Sequence, residues 1–165
     1  MQVRPDALDT ALAKRLPPLV WVHGDEPLLV LEAADAARRA FRQAGHDERL
    51  VLSVERGFKP EALLAETRAL SLFASNRLIE LRMTGKPAAD LGQALAESAA
   101  GVDDATRLLV SSPRLDRKVT ESVWFKSVDA HALVVAVYPV ERARLAAWIG
   151  QRLGRQRQRA DADTL

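Results

Sequence analysis

The chain has 165 residues, no cysteine and a formal net charge of only +2. Disulfides and thiolate metal sites are therefore excluded, and a whole-molecule attraction to nucleic acid is not implied. With 48% apolar and 28% charged residues, the chain suits a globular fold: one compact domain with a real core and part of a second.

In chain order, the start, Met1-Gln2-Val3-Arg4-Pro5-Asp6, has no apolar signal core. Leu19-Val20-Trp21-Val22-His23 is an apolar, β-forming run closed by Gly24, and it predicts a buried strand. Asp25-Glu26-Pro27 reads as a helix start, with a capping acid and Pro in the first turn. The following helix places Val30, Ala33, Ala34, Ala37, Phe41 and Ala44 inward, offers Asp35 and Arg39 as an i,i+4 pair, and ends at Gly45. Strands are then predicted at 50–54, 77–81, 107–111 and 133–137. Helices are predicted at 60–70 with Leu63, Leu64 and Thr67 inward, at 88–99 with Leu91, Ala94 and Leu95 inward, and around 122–130. The longest apolar runs, such as 133–138, are too short to cross a bilayer.

Strands alternating with helices predict a five-stranded parallel sheet covered by helices on both faces, a doubly wound nucleotide-binding-like α/β domain. Pro139 breaks the alternation, and Leu145, Trp148, Ile149 and Leu153 restart at helical spacing. A domain boundary is expected near Tyr138-Pro139-Val140, giving a first domain of 1–138 and the beginning of a second at 139–165. Arg142, Arg144, Arg152, Arg155, Arg157 and Arg159 crowd this last stretch. They read as a solvated helix face with a basic tail, since only Trp148 interleaves with them; the sharper alternative is a phosphate-facing surface.

In such a fold ligands sit beyond the carboxyl ends of the strands, so the first strand–helix turn is where a phosphate cradle belongs. An NTPase turn needs glycines so that backbone N–H groups wrap the phosphates, a Lys for charge and a hydroxyl for magnesium. His23-Gly24-Asp25-Glu26-Pro27-Leu28-Leu29 has one Gly, no Lys and no hydroxyl. Two carboxylates stand where phosphates would come, and Pro27 removes a donor. The expected role of Asp25 and Glu26 is helix capping and dipole compensation. A dinucleotide fingerprint is missing, and a phospho-acceptor domain would want an Asp where the strand at 107–111 runs into Ser111-Ser112. His23, His46 and His131 fall in different elements without metal-ligand spacing, and no Gly-x-Ser-x-Gly elbow occurs. No catalytic residue, metal site or cofactor is expected.

Leu70-Ser71-Leu72-Phe73-Ala74-Ser75 differs from an ordinary connection. It joins a predicted helix to a predicted strand, where polar residues are expected, yet it carries three large apolar side chains. On composition these pack back into the core. Alternatively, Leu72 and Phe73 project as an anchor pair for a partner's pocket, each supplying roughly 1.5–3 kcal/mol when buried.

This segment resembles the clamp-contacting element of the delta subunit of bacterial DNA polymerase III. The turn Gly24-Asp25-Glu26-Pro27 is similar to that family's degenerate nucleotide loop. Pro113 to Lys118 with Val123-Trp124-Phe125, and Glu141 to Trp148, are similar to later parts of it. The resemblance implies an AAA+-like, RecA-like first domain without ATPase chemistry, then a helical lid and a collar. It implies that Leu70, Ser71, Leu72, Phe73, Ala74 and Ser75 grip the beta sliding clamp and favour ring opening during DNA replication. Other clamp-loader subunits would partner the full-length protein, and any DNA contact in this portion would be indirect or weak. Polymerase activity would belong to the larger bacterial, cytoplasmic assembly and not to this chain. The lid begins but does not finish here and the collar is absent, so the 165 residues alone are expected not to build a loader. A diverged P-loop ATPase of the same fold is the main alternative, and a receiver-like signalling domain is a third.

Overall fold

A computed structural model describes residues 1–69, 76–155 and 157–158. The elements run β1 (Gln2–Val3), a 3₁₀ turn (Pro5–Ala7), α1 (Leu8–Lys14), β2 (Leu19–Gly24), α2 (Pro27–Gln43), β3 (Glu48–Val54) and α3 (Pro60–Arg68). They continue with β4 (Arg77–Met83), α4 (Ala89–Gly101), β5 (Thr106–Ser112), α5 (Arg117–Thr120), α6 (Val123–His131), β6 (Ala132–Val137) and α7 (Arg142–Arg155). The strands form one sheet in the order β1-β6-β2-β5-β4-β3, and every pairing is parallel. No helix among the described residues is long and apolar enough to cross a membrane.

The alternation of helix and strand folds as the sequence predicts, with a correction to the strand count. The sheet has six strands among the described residues, because Gln2 and Val3 pair with Val134 and Val135 at the far edge. Two residues have no period to read. Their place is set by tertiary contact: the Met1 ammonium donates to the carbonyls of Ala132 (2.8 Å) and Asp129 (3.1 Å). Helix α1 was also outside the sequence reading, since its seven residues bury only Leu8 and Leu12.

The central strand β2 is buried along its whole length and feeds both cores. Leu19 and Trp21 point to one face, with Ile79, Leu81, Leu108, Val110 and Val134, beneath α3, α4 and α6. Val20 and Val22 point to the other, with Leu78, Leu109 and Val135, beneath α1 and α2. On α2 the inward row is Ala33, Ala34, Ala37 and Phe41, and the small side chains let its axis lie close to the sheet. Ala44, expected inward, is exposed because the helix has ended at Gln43. Helix α3 stops at Arg68, and only Leu63 of its expected inward residues is fully buried; Leu64 and Thr67 are half-buried.

Under α4 and α6, Trp21 lies 5.5 Å from Phe125 and 6.2 Å from Trp124, and its Nε1 donates to Ser112 Oγ (3.0 Å). Gly92 of α4 lets the Trp124 ring approach: a Cβ there would fall 2.3 Å from it. On the α2 side of β4, Glu80 is fully buried yet charged. It accepts from Arg38 of α2 (3.0 and 3.1 Å), Arg49 of β3 (2.6 and 2.8 Å) and Arg82 (2.8 Å). Burial pushes its pKa up, but the hydrogen bonds from Arg38, Arg82 and Arg49 outweigh that and hold it below the usual carboxylate value. Asp35 pairs with Arg38 and not, as expected, with Arg39. Arg38 faces the sheet and serves both carboxylates, whereas Arg39 faces solvent.

Candidate functional site

The β2–α2 turn and the flanks of the 70–75 segment lie at opposite ends of the sheet. The β2–α2 turn stands at the carboxyl ends of the parallel strands. Strand β4 begins at their amino ends, where Arg77 lies beside Thr106 and Glu48 at the starts of β5 and β3.

At the turn, Gly24 closes β2 in register with Val137, and a Cβ on it would come within 2.4 Å of the Val137 carbonyl oxygen. Only glycine permits that approach. Helix α2 begins with Glu26 as its N-cap and Pro27 in its first turn, and neither carboxylate makes the expected cap: Glu26 forms no side-chain cap bond. Extended backbone at Glu26 turns the chain into the helix, and the Asp25 side chain reaches across to the β5–α5 loop. There its Oδ1 accepts the Arg114 backbone N–H at 3.4 Å. One residue further on, the Leu115 N–H donates to His23 Nδ1 at 3.4 Å. The Arg114 guanidinium lies over the Tyr138 ring, 5.6 Å from its centroid.

The ends of β2, β5 and β6 are therefore joined by one network of polar and cation–π contacts. His23 is its buried member. Burial first, then the nearby Arg114 charge, lowers its pKa to about 4 against a partial opposing pull from Asp25. A neutral ring whose Nδ1 lone pair accepts from Leu115 follows from both. His46 is also buried, with Nε2 3.1 Å from the Asp104 carbonyl; His131 is exposed. The three imidazoles remain apart, and no cluster of potential metal ligands occurs among the described residues.

At the other end, Leu70, Ser71, Leu72, Phe73, Ala74 and Ser75 lie outside the described residues, and their two flanks are placed. Helix α3 ends at Arg68 with Ala69 as its C-cap. The buried Arg77 side chain reaches back from the start of β4 and donates to the carbonyls of Ala69 (2.6 Å) and Glu66. The Arg77 N–H donates to Ala105 O at 2.7 Å. Beside it, Thr67 Oγ1 lies 3.3 Å from Ser98 Oγ and Arg68 pairs with Glu97, which ties α3 to α4. One arginine thus fixes both the exit of α3 and the entry of β4. The apolar run marks Arg77 as the first residue of a strand; its link to carbonyls eight and eleven positions earlier has no periodic signal.

With this geometry in view, similarity to known proteins decides the family. The sequence model of the DNA polymerase III delta subunit matches residues 21–138, from β2 through the residue after β6. The chain belongs to the DNA polymerase III delta subunit family. It is 26% identical over 153 residues to the DNA polymerase III subunit delta of Escherichia coli (strain K12), covering 92% of this chain and 45% of that protein. Its fold is similar to that of the Bacillus subtilis DNA clamp loader delta protein, with a TM-score of 0.67 at 14% identity, covering 92% of this chain and 48% of that one. The chain spans about half the length of these delta relatives. The family match includes both the β2–α2 turn and the 70–75 segment.

Proposed function

We propose that this chain is the clamp-contacting front portion of a clamp-loader delta subunit, without catalysis of its own. The observation that carries the reading is the delta-family match over residues 21–138, a span that holds Leu72 and Phe73. In this reading Leu72 and Phe73 enter a hydrophobic pocket on the beta sliding clamp, and Leu70, Ser71, Ala74 and Ser75 complete the contact. Arg77 holds the flanks of that segment at the amino ends of the strands. The ring is opened only to the extent that the contact favours the open form over the closed one.

The β2–α2 turn is the remnant of a nucleotide loop, in which Gly24, Asp25, Glu26 and Pro27 serve the fold. Asp25 is engaged with the Arg114 backbone, and Pro27 offers no donor. Residues 1–138 form the clamp-binding domain and 139–165 begin the helical lid, in a bacterial cytoplasmic replication assembly with other loader subunits as partners.

The test is retention of the cognate sliding clamp by the immobilised chain. Leu72→Ala with Phe73→Ala is expected to abolish retention while circular dichroism stays unchanged. Full retention by that double variant overturns the reading. Binding of ATP by the purified chain, measured by equilibrium dialysis, would favour a diverged P-loop ATPase instead.

A further inference from the structure

Helices α1 and α2 pack on the same face of the sheet, and a groove of about 580 Å³ runs between them on the outside. Its floor is apolar, made by Leu12 of α1 and by Ala36 and Ala40, one turn apart on α2. Its rim is basic: Lys14 and Arg15 at the end of α1 face Arg39 on α2, all exposed, with Asp9 the one acid on the lining.

Several cations of the domain are neutralised by a carboxylate partner. Arg38, Arg49 and Arg82 converge on Glu80, Arg68 meets Glu97, Arg107 meets Asp104 and Arg117 meets Glu121. Lys14, Arg15 and Arg39 form no ion pair among the described residues. Arg39 had a partner within reach of its own helix, but Asp35 is taken by Arg38. The groove thus combines an apolar strip, narrow-walled by small alanines, with three cations that form no ion pair among the described residues.

We infer that the α1–α2 groove is a docking site for an acidic amphipathic segment of a partner protein, its apolar side chains on Ala36 and Ala40 and its carboxylates against Lys14, Arg15 and Arg39. Charge complementarity selects an anionic partner. The apolar floor selects a peptide over nucleic acid, because the lining has no aromatic side chain on which a base stacks. The inference uses no residue of the 70–75 segment, so it stands whether or not that segment grips the clamp.

The experiment is fluorescence anisotropy of the whole chain with a fluorescein-labelled peptide of Glu carrying Leu at i, i+3, i+4 and i+7. Lys14→Glu with Arg39→Glu, both at exposed positions, is expected to weaken binding roughly tenfold or more. Ala40→Phe, which fills the floor and leaves every charge in place, is expected to weaken it as well. Arg142→Glu, on α7, is expected to leave it unchanged. Thermal melting of each variant separates lost binding from lost fold. Absence of peptide binding by the parent chain, or binding indifferent to both the charge reversal and Ala40→Phe, overturns the inference. Tighter binding of a single-stranded oligonucleotide than of the peptide, lost on charge reversal and untouched by Ala40→Phe, overturns it in favour of a phosphate-backbone surface.

Discussion

Glu80 carries a full charge where its neighbours on β4, Ile79 and Leu81, are core residues. Three guanidiniums from α2, β3 and β4 make this possible, and removing their common partner would leave the half-buried Arg38 without its main counter-charge. Breaking a buried pair from one side costs about 3–5 kcal/mol. Glu80→Ala is therefore expected to lower unfolding free energy by about 3 kcal/mol in urea titration, and Glu80→Gln by less, since an amide keeps part of the hydrogen bonding. His23 gives a second prediction, in pH. Its folded pKa is about 4, below the ordinary 6.5, so the unfolded chain binds the proton first. Stability should be complete above about pH 6.5, fall as pH drops toward 4, and change no further below that. The total loss is about 3 kcal/mol. Comparing His23→Gln with the parent between pH 7 and 4 isolates this contribution, and parallel curves would rule it out. Neither residue's role was legible in the sequence. Periodicity marks Glu80 as part of an apolar run and His23 as the end of one. It says nothing of partners such as Arg49 and Arg114, which other elements bring to them.

The elements themselves were largely legible, for a physical reason. Strands buried on both faces, such as Leu19–Gly24 and Ala132–Val137, are continuous apolar runs in sequence, and α2 shows its inward alanines at helical spacing. What stayed hidden was short or non-local. Gln2–Val3 is too brief to carry a pattern, and the ends of α3 and β4 are set by one side chain, Arg77. Arg77→Ala would leave the carbonyls of Glu66 and Ala69 without this donor. It is expected to cost roughly 1–3 kcal/mol in urea unfolding and to weaken clamp retention, although Leu72 and Phe73 are untouched. A fully stable variant would show that water replaces the guanidinium. The packing of α4 on α6 sets two effects of opposite sign against each other at Gly92. Alanine there would gain about 1 kcal/mol in helix propensity. Its Cβ would also press on the Trp124 ring from 2.3 Å, and overpacking of this kind costs about 1–3 kcal/mol. The ring is flanked by Trp21 and Phe125, so Gly92→Ala is expected to lower the melting temperature and alter the near-ultraviolet circular dichroism.

At the scale of the whole molecule, the parallel sheet separates two tasks. The amino ends of the strands hold Arg77, which fixes the flanks of the segment proposed to meet the clamp, while their carboxyl ends are bound together by His23, Asp25, Arg114 and Tyr138. The family and fold could be approached from sequence because the segment proposed to contact the clamp and the β2–α2 turn are contiguous strings. The network at the carboxyl ends could not, because its hydrogen-bonded partners lie 89 and 92 positions apart. Beyond it, α7 is mostly exposed along its first two turns, and among the described residues its ion pair to the domain is made by Arg152. That guanidinium pairs with Glu32 of α2 and lies 4.0 Å from the Trp148 ring centroid. A partly exposed ion pair contributes about 0–1 kcal/mol and a cation–π contact a similar amount, which is small against the stability of the sheet. The two should therefore come apart independently. Arg152→Ala is expected to raise amide hydrogen exchange across α7 several-fold while leaving protection in β2 and β5 unchanged, and Glu32→Gln should do the same to a smaller degree because the Trp148 contact remains. Equal loss of protection in α7 and in β2 would instead mean that helix and sheet unfold as one unit, and that Arg152 supports the domain and not merely the orientation of α7.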